Sequence, residues 1–274
     1  MVALYPLAKQ YHPDFQLPGV KPVNPVKVDS ESKYRPDHVW ALQRSAIDLK
    51  GNANGTLENN SAGWFAKGFN CGARLNNIII QQPGALDLWG GKNAVTIIAL
   101  IDITNDSTRR FVFHDTFNVN DTRIRMEITT ADKFNLSMRG AAGDTQLVVN
   151  SADSFSGRHC FVGIFDTVTG SVTGYAGGKE ILSGSGTITT PFSNDSSMNT
   201  VIGAQGTGAN NFNGKIEFFA TLPYNVGVQG AISLSLDPYQ IVEPAIPMQY
   251  FTPTGVAPSV ILSPHYYTSL LSGQ

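Results

Sequence analysis

The residues in this chain that could do chemistry are poorly arranged for it. A retaining glycosidase needs two carboxyl groups about 5–5.5 Å apart, one as acid and one as nucleophile. A strand carrying Glu-x-Asp-x-x-Glu would supply them, but Glu127 is followed by Ile128 and Thr129, and Glu217 by Phe218 and Phe219. His12, His38, His114, His159 and His265 have no partner at a metal-ligand spacing such as His-x-x-x-His. His114-Asp115 could be half of a triad, yet neighbours on a strand point to opposite faces. Gly203-x-x-Gly206-x-Gly208 does not open a helix after a strand, so it reads as a hairpin loop rather than a dinucleotide fingerprint. Trp40, Trp64 and Trp89 could stack on sugar rings; core or interface packing is the competing reading. No catalytic residue and no cofactor-binding residue is expected.

The composition narrows the class. The chain has 274 residues, enough for one β-sandwich with extensions or for two small domains. A net charge of −2 argues against a nucleic-acid partner, which needs clustered Lys and Arg. Charged residues make up 15% and glycine is abundant at 27 residues, which suits a turn-rich all-β chain. Cys71 and Cys160 read as buried thiols or as one disulfide; two cysteines are no disulfide framework. No basic region followed by an apolar one opens the sequence, so no signal peptide is expected. No run of 18 apolar residues predicts membrane insertion.

Ten of the 15 prolines lie in residues 1–35 and 244–274, which therefore read as extended arms around a body at 36–243. Within the body, residues 95–103 are apolar on both phases, as in a central strand covered on both sides. Ile124, Met126 and Ile128 alternate with Arg123, Arg125, Glu127 and Thr129; Phe134, Leu136 and Met138 alternate with Asn135 and Ser137. Joined by Thr130–Lys133, they predict a half-exposed antiparallel hairpin. Phe111–Phe113 and Leu147–Val149 are further strands. No stretch sustains a 3.6-residue apolar repeat. The one helix signal is Asp237-Pro238-Tyr239-Gln240-Ile241, with Asp as N-cap and Pro at the first helical position.

The order of motifs in 158–220 is distinctive. A strand running from His159 to Asp166 precedes Tyr175-Ala176-Gly177-Gly178-Lys179, and Ile202-Gly203 is followed by Phe212-Asn213-Gly214-Lys215-Ile216. Upstream, Val39-Trp40 leads to a Gly/Asn-rich turn and Gly55-Thr56-Leu57. Residues 38–222 thus resemble a laminin-G-like domain of the concanavalin A-like lectin/glucanase superfamily. The resemblance implies an all-β fold, an antiparallel β-sandwich of jelly-roll type, with the Ile-Gly and Phe-x-Gly-x-Ile segments pairing to close a sheet. It places His159 at a position the family often fills with a packed histidine. It also raises calcium as a rim cofactor, with Asp102, Asn105 and Asp106 in one loop and Asp115, Asn118 and Asp121 in another as candidate oxygen ligands. Asp and Asn are equally the ordinary residues of turns.

Residues 245–274 contain no Asp, Glu, Lys or Arg but many apolar side chains. A disordered tail normally has the reverse composition, so burial over the sandwich or against another subunit is expected. The phrases Leu17-Pro18-Gly19, Lys21-Pro22-Val23 and Leu236-Asp237-Pro238-Tyr239-Gln240-Ile241-Val242-Glu243-Pro244 are similar to those of structural proteins of tailed bacteriophages. That resemblance implies a non-enzymatic virion protein made in the host cytoplasm, with a capsid-decoration role ahead of a tail-associated or host-adhesion one. Its implied partners are the major capsid protein or tail proteins, further copies of itself, and a surface glycan. Leu17, Pro18, Val23, Tyr250, Phe251, Ile261, Tyr266, Tyr267 and Leu270 are the expected partner anchors.

Overall fold

The computed structural model describes residues 34–42, 46, 48–50, 54–58, 64–65, 68–71, 77–81, 91–116, 122–139, 146–188, 192, 199–205 and 210–242. Short β-branched and aromatic runs between Gly, Asn and Asp turns become strands in two antiparallel sheets. The larger sheet runs β13 (Lys179–Ser185), β12 (Ser171–Ala176), β11 (Gly157–Asp166), β6 (Ala94–Ile103), β15 (Gly214–Leu222), β4 (Gly68–Asn70) and β3 (Trp64–Phe65); β1 (His38–Trp40) also pairs with β15. The other runs β10 (Leu147–Ser154), β9 (Lys133–Met138), β8 (Thr122–Ile128), β7 (Arg110–Thr116), β14 (Asn199–Ile202), β5 (Asn77–Gln81) and β2 (Thr56–Glu58). The chain is therefore an antiparallel, lectin-like β-sandwich of jelly-roll type, as the motifs imply.

Period-two alternation sorts the side chains into layers. Val95, Ile97, Ala99, Ile101 and Ile103 of β6 face the other sheet, whereas Ile98 and Leu100 face outward. From the opposing sheet, Ile124, Met126, Ile128, Phe134, Leu136 and Met138 meet the first set. Two aromatic stacks bridge the layers: Phe134 on Phe161 at 4.2 Å and Phe113 on Phe219 at 5.2 Å between ring centroids. Gly163 of β11 lies directly beneath side chains of the opposing sheet. A Cβ there would stand 3.1 Å from Leu136 Cδ2 and 3.2 Å from Met126 Cε.

Outside the larger sheet, a second apolar layer is closed by a helix, α1 (Gly227–Leu236), and a 3-10 turn at Pro238–Ile241. Ala231, Leu234, Tyr239, Ile241 and Val242 cover Ile98, Leu100, Val162, Phe218 and Ala220. Thr96 fixes the approach to α1, donating from Oγ1 to the Tyr224 carbonyl at 2.7 Å. Asp237 caps the 3-10 turn by accepting from the Tyr239 N–H at 3.0 Å. The Asp-Pro signal thus marks that short turn, while α1 before it escapes the sequence reading. Its residues have apolar groups on both sides, with Val228, Ile232 and Leu236 opposite the buried Ala231 and Leu234, so the periodicity is blurred. Two glycines and no side-chain N-cap weaken the signal further.

Two further expectations need correction. The β8–β9 hairpin is not half-exposed: its outward residues Arg125, Glu127, Asn135 and Ser137 are buried too. The motif strands β14 and β15 do not pair with each other. β14 lies between β7 and β5 in one sheet and β15 beside β6 in the other, so the chain crosses the sandwich between them. Among the described residues no helix is long and apolar enough to cross a membrane.

Candidate functional site

The outward face of the seven-stranded sheet is the polar one, and it faces away from α1. Its residues follow from register: Glu127 stands opposite Phe111 and Asn135, and Arg125 opposite His114 and Ser137. An irregularity between Phe111 and Phe113 in β7 turns Phe111 and His114 to this side, where their rings meet edge-to-face at 4.7 Å. Two guanidinium groups flank Phe111, Arg109 at 5.0 Å and Arg125 at 5.8 Å from its centroid. Arg109 grips Glu127 with two bonds, Nε to Oε2 at 2.8 Å and Nη2 to Oε1 at 3.2 Å, and Arg125 Nε lies 3.5 Å from Oε2. Asn135 donates to the Val149 carbonyl at 3.2 Å and to Asn150 Oδ1 at 2.9 Å.

Burial and charge set the protonation here. Burial, with Arg125 and Arg109 adding repulsion, pushes the His114 imidazole down to about 3, so it is neutral near pH 7. Burial also draws the Arg125 guanidinium below its ordinary value; Glu127 opposes that shift and Arg109 adds to it. Two buried polar atoms of this face, Arg125 Nε and Asn135 Oδ1, have no hydrogen-bond partner.

The rim loop that holds the calcium candidates is organised around Arg110, which is fully buried. Its Nε donates to the Thr108 carbonyl at 3.1 Å and lies 3.4 Å from Asp106 Oδ1; Nη1 donates to the Thr104 carbonyl and Nη2 to Asp132 Oδ1. Both carboxylate oxygens of Asp106 are engaged. Oδ1 accepts from the Thr108 N–H at 3.0 Å and Oγ1 at 2.7 Å, and Oδ2 accepts from Asn213 at 2.7 Å. Burial is the largest single influence and raises the Asp106 carboxyl; those hydrogen bonds and the Arg110 charge together outweigh it and hold the group below its ordinary value. Asp102 lies in β6 opposite Lys215, 3.9 Å from its Nζ, and Asn105 is exposed. The Arg110 guanidinium thus lies beside one of the three candidate ligands, Asp106. Among the described residues no three His, Cys, Asp or Glu side chains gather as a metal group. The side chain of Asp115, and all of Asn118 and Asp121, lie outside the described residues.

Two side-chain pairs escape the sequence reading because their partners are far apart or separated by a turn. Arg158 and Glu217 join in a two-bond pair on the α1 side, at 3.0 and 2.9 Å. Burial works against the Arg158 charge, and Glu217 more than offsets it. His38 Nδ1 and Asp48 Oδ2 are 2.8 Å apart, and Asp48 Oδ1 accepts from the N–H groups of Val39 and Lys50. Burial raises the Asp48 carboxyl, but these bonds bring it below its usual value. His159 donates from Nε2 to the Ser156 carbonyl at 2.8 Å and packs edge-on against Phe155. Cys71 and Cys160 are both free and buried, which resolves the alternatives against a disulfide. Trp40 is a core residue; the Trp64 side chain, Trp89 and every expected partner anchor lie outside the described residues.

No protein-family model matches the chain, and no curated protein matches it. Solved structures do. A mutant of HCR/D superposes with a TM-score of 0.54 at 12% identity, over 73% of this chain and 51% of that one. The CBM40 module of the Ruminococcus gnavus IT-sialidase, bound to α2,3-sialyllactose, gives 0.42 at 16% identity over 57% of this chain and 96% of that one. The SAP-like pentraxin of Limulus polyphemus gives 0.44 at 10% identity over 60% and 76%. Several other matches are much longer chains, of which this one covers 24%. The HCR/D likeness is one of fold: the class is the lectin-like jelly-roll sandwich.

Proposed function

We propose that this chain is a non-enzymatic structural protein of a tailed-bacteriophage virion, a capsid-decoration protein whose lectin-like sandwich is anchored through its terminal segments. The observation that carries the reading is that both ends of the described body sit on one face. Tyr34 is buried against α1, with its hydroxyl 3.5 Å from the Gly230 carbonyl, and Asp37 donates its N–H to Thr221 of β15. Val242 is buried in the same apolar layer. Anchoring by the ends leaves the polar face of the other sheet pointing away from the particle. A non-catalytic role is supported by the carboxylates: Glu127 and Glu217 lie in different sheets, each gripped by an arginine, whereas a glycosidase needs a close pair on one face.

Incorporation into particles tests the reading. Chains lacking residues 1–33 or 245–274 should fold yet fail to co-purify with virions, and crosslinks from the intact chain should reach capsid subunits. Retained incorporation of both truncated chains would sink it. The second reading, a host-adhesion module that binds a glycan, is favoured by Arg109, whose side chain over Phe111 is a charged group that the polar face offers to solvent. Glycan-array binding lost on Arg109→Ala, together with crosslinks to tail subunits, would replace the first reading with this one.

A further inference from the structure

Four large hydrophobic side chains of the described residues are exposed, and three sit on or beside α1: Val228 at 56%, Leu236 at 53% and Val168 at 69%. Val168 belongs to the β11–β12 turn, which Asn225, just ahead of the helix, holds by donating to Asp166 at 3.0 Å. Val228 and Leu236 lie two turns apart on one side of α1, with Ile232 between them half-buried and packed in part on the apolar layer below. A solvated helix face ordinarily carries charge. Here the chain from Phe218 to Leu236 has none. The opposite side of α1 is already used, with Gly230, Ala231, Leu234 and Ser235 buried against the sheet.

The chain beyond the described residues supplies a matching occupant. Residues 245–274 contain no acidic or basic residue except His265, and they carry Ile246, Met248, Tyr250, Phe251, Ile261 and Leu262. This segment starts three residues after Val242, which is buried in the same layer as Ala231 and Leu234. A tether that short gives the segment a millimolar local concentration at α1, so its own helix outcompetes that of a second copy in dilute solution. We propose that in the free chain residues 245–274 lie across Val228, Ile232 and Leu236 of their own α1. An assembly partner that takes up this segment must therefore first release it from the helix.

Chymotrypsin digestion of the full-length chain reads this directly, because Tyr250, Phe251, Tyr266 and Tyr267 are cleavage sites only when the segment is open. The segment should be cut slowly in the native chain. The double variant Val228→Asp, Leu236→Asp should be cut roughly tenfold faster or more, since it removes two apolar contacts. Its circular dichroism spectrum should match that of the native chain, because both side chains are exposed on the body and the sandwich does not need them to fold. Equal cleavage rates in the two chains would overturn the proposal. So would protection that appears only as protein concentration rises, because the cover would then be a neighbouring copy. Neither result depends on particle incorporation, so this inference and the virion reading can fail separately.

Discussion

Arg110 joins three segments that the sequence leaves unconnected: the Thr104–Thr108 loop, the start of β7 and the β8–β9 turn at Asp132. Arg110→Ala removes a buried cation and strands the groups it binds, so it should lower stability by about 2–4 kcal/mol in urea unfolding. Arg110→Lys should recover less than half of that, because an ammonium cannot reach all these acceptors in one plane. His114 makes stability depend on pH. Its folded value, about 3, lies below the ordinary 6.5, so unfolding takes up a proton between those limits. The contribution is complete above pH 6.5 and is lost as pH falls. Between pH 6.5 and 4.5 the unfolding free energy should drop by up to about 1.4 kcal/mol per pH unit. His114→Phe, which keeps an aromatic edge against Phe111, should flatten that slope.

Among the elements, α1 depends on a single well-packed side chain more than on its own propensity. Leu234→Ala should cost about 3 kcal/mol, and hydrogen exchange should show the α1 amides losing protection before those of β6 and β11. The strands from β6 onward were legible because their signals are local: alternation in β8 and β9, a doubly apolar run in β6, and Thr169-Gly170 or Gly177-Gly178 punctuation at turns; β3, β4 and β5 carried no such signal. Gly170 is a clear case, with φ of +62° and a Cβ position only 2.1 Å from the Gly186 carbonyl oxygen, so only glycine fits. What stayed hidden is non-local. The crossing of the chain between β14 and β15, the Arg158–Glu217 pair and the irregularity that aims Phe111 and His114 outward depend on which strands become neighbours, and single-strand patterning does not encode that. The polar face itself was visible as alternation, but its burial was not.

For the molecule as a whole, the two sides of the sandwich divide the work. One carries α1, Tyr34 and Val242; the other carries the arginine-flanked Phe111 face. On the virion reading proposed for this chain, Arg109→Ala on the second side should leave particle incorporation intact, whereas losing either terminal segment should abolish it with the sandwich still folded, as circular dichroism would report. The meeting of Tyr34 and Val242 beside one helix also bears on how the backbone could be rewired. A flexible bridge joining those two points, with new termini cut at the exposed Gly177, yields a circular permutant that should refold to the same sandwich. A cooperative unfolding transition of the permutant would check that it does.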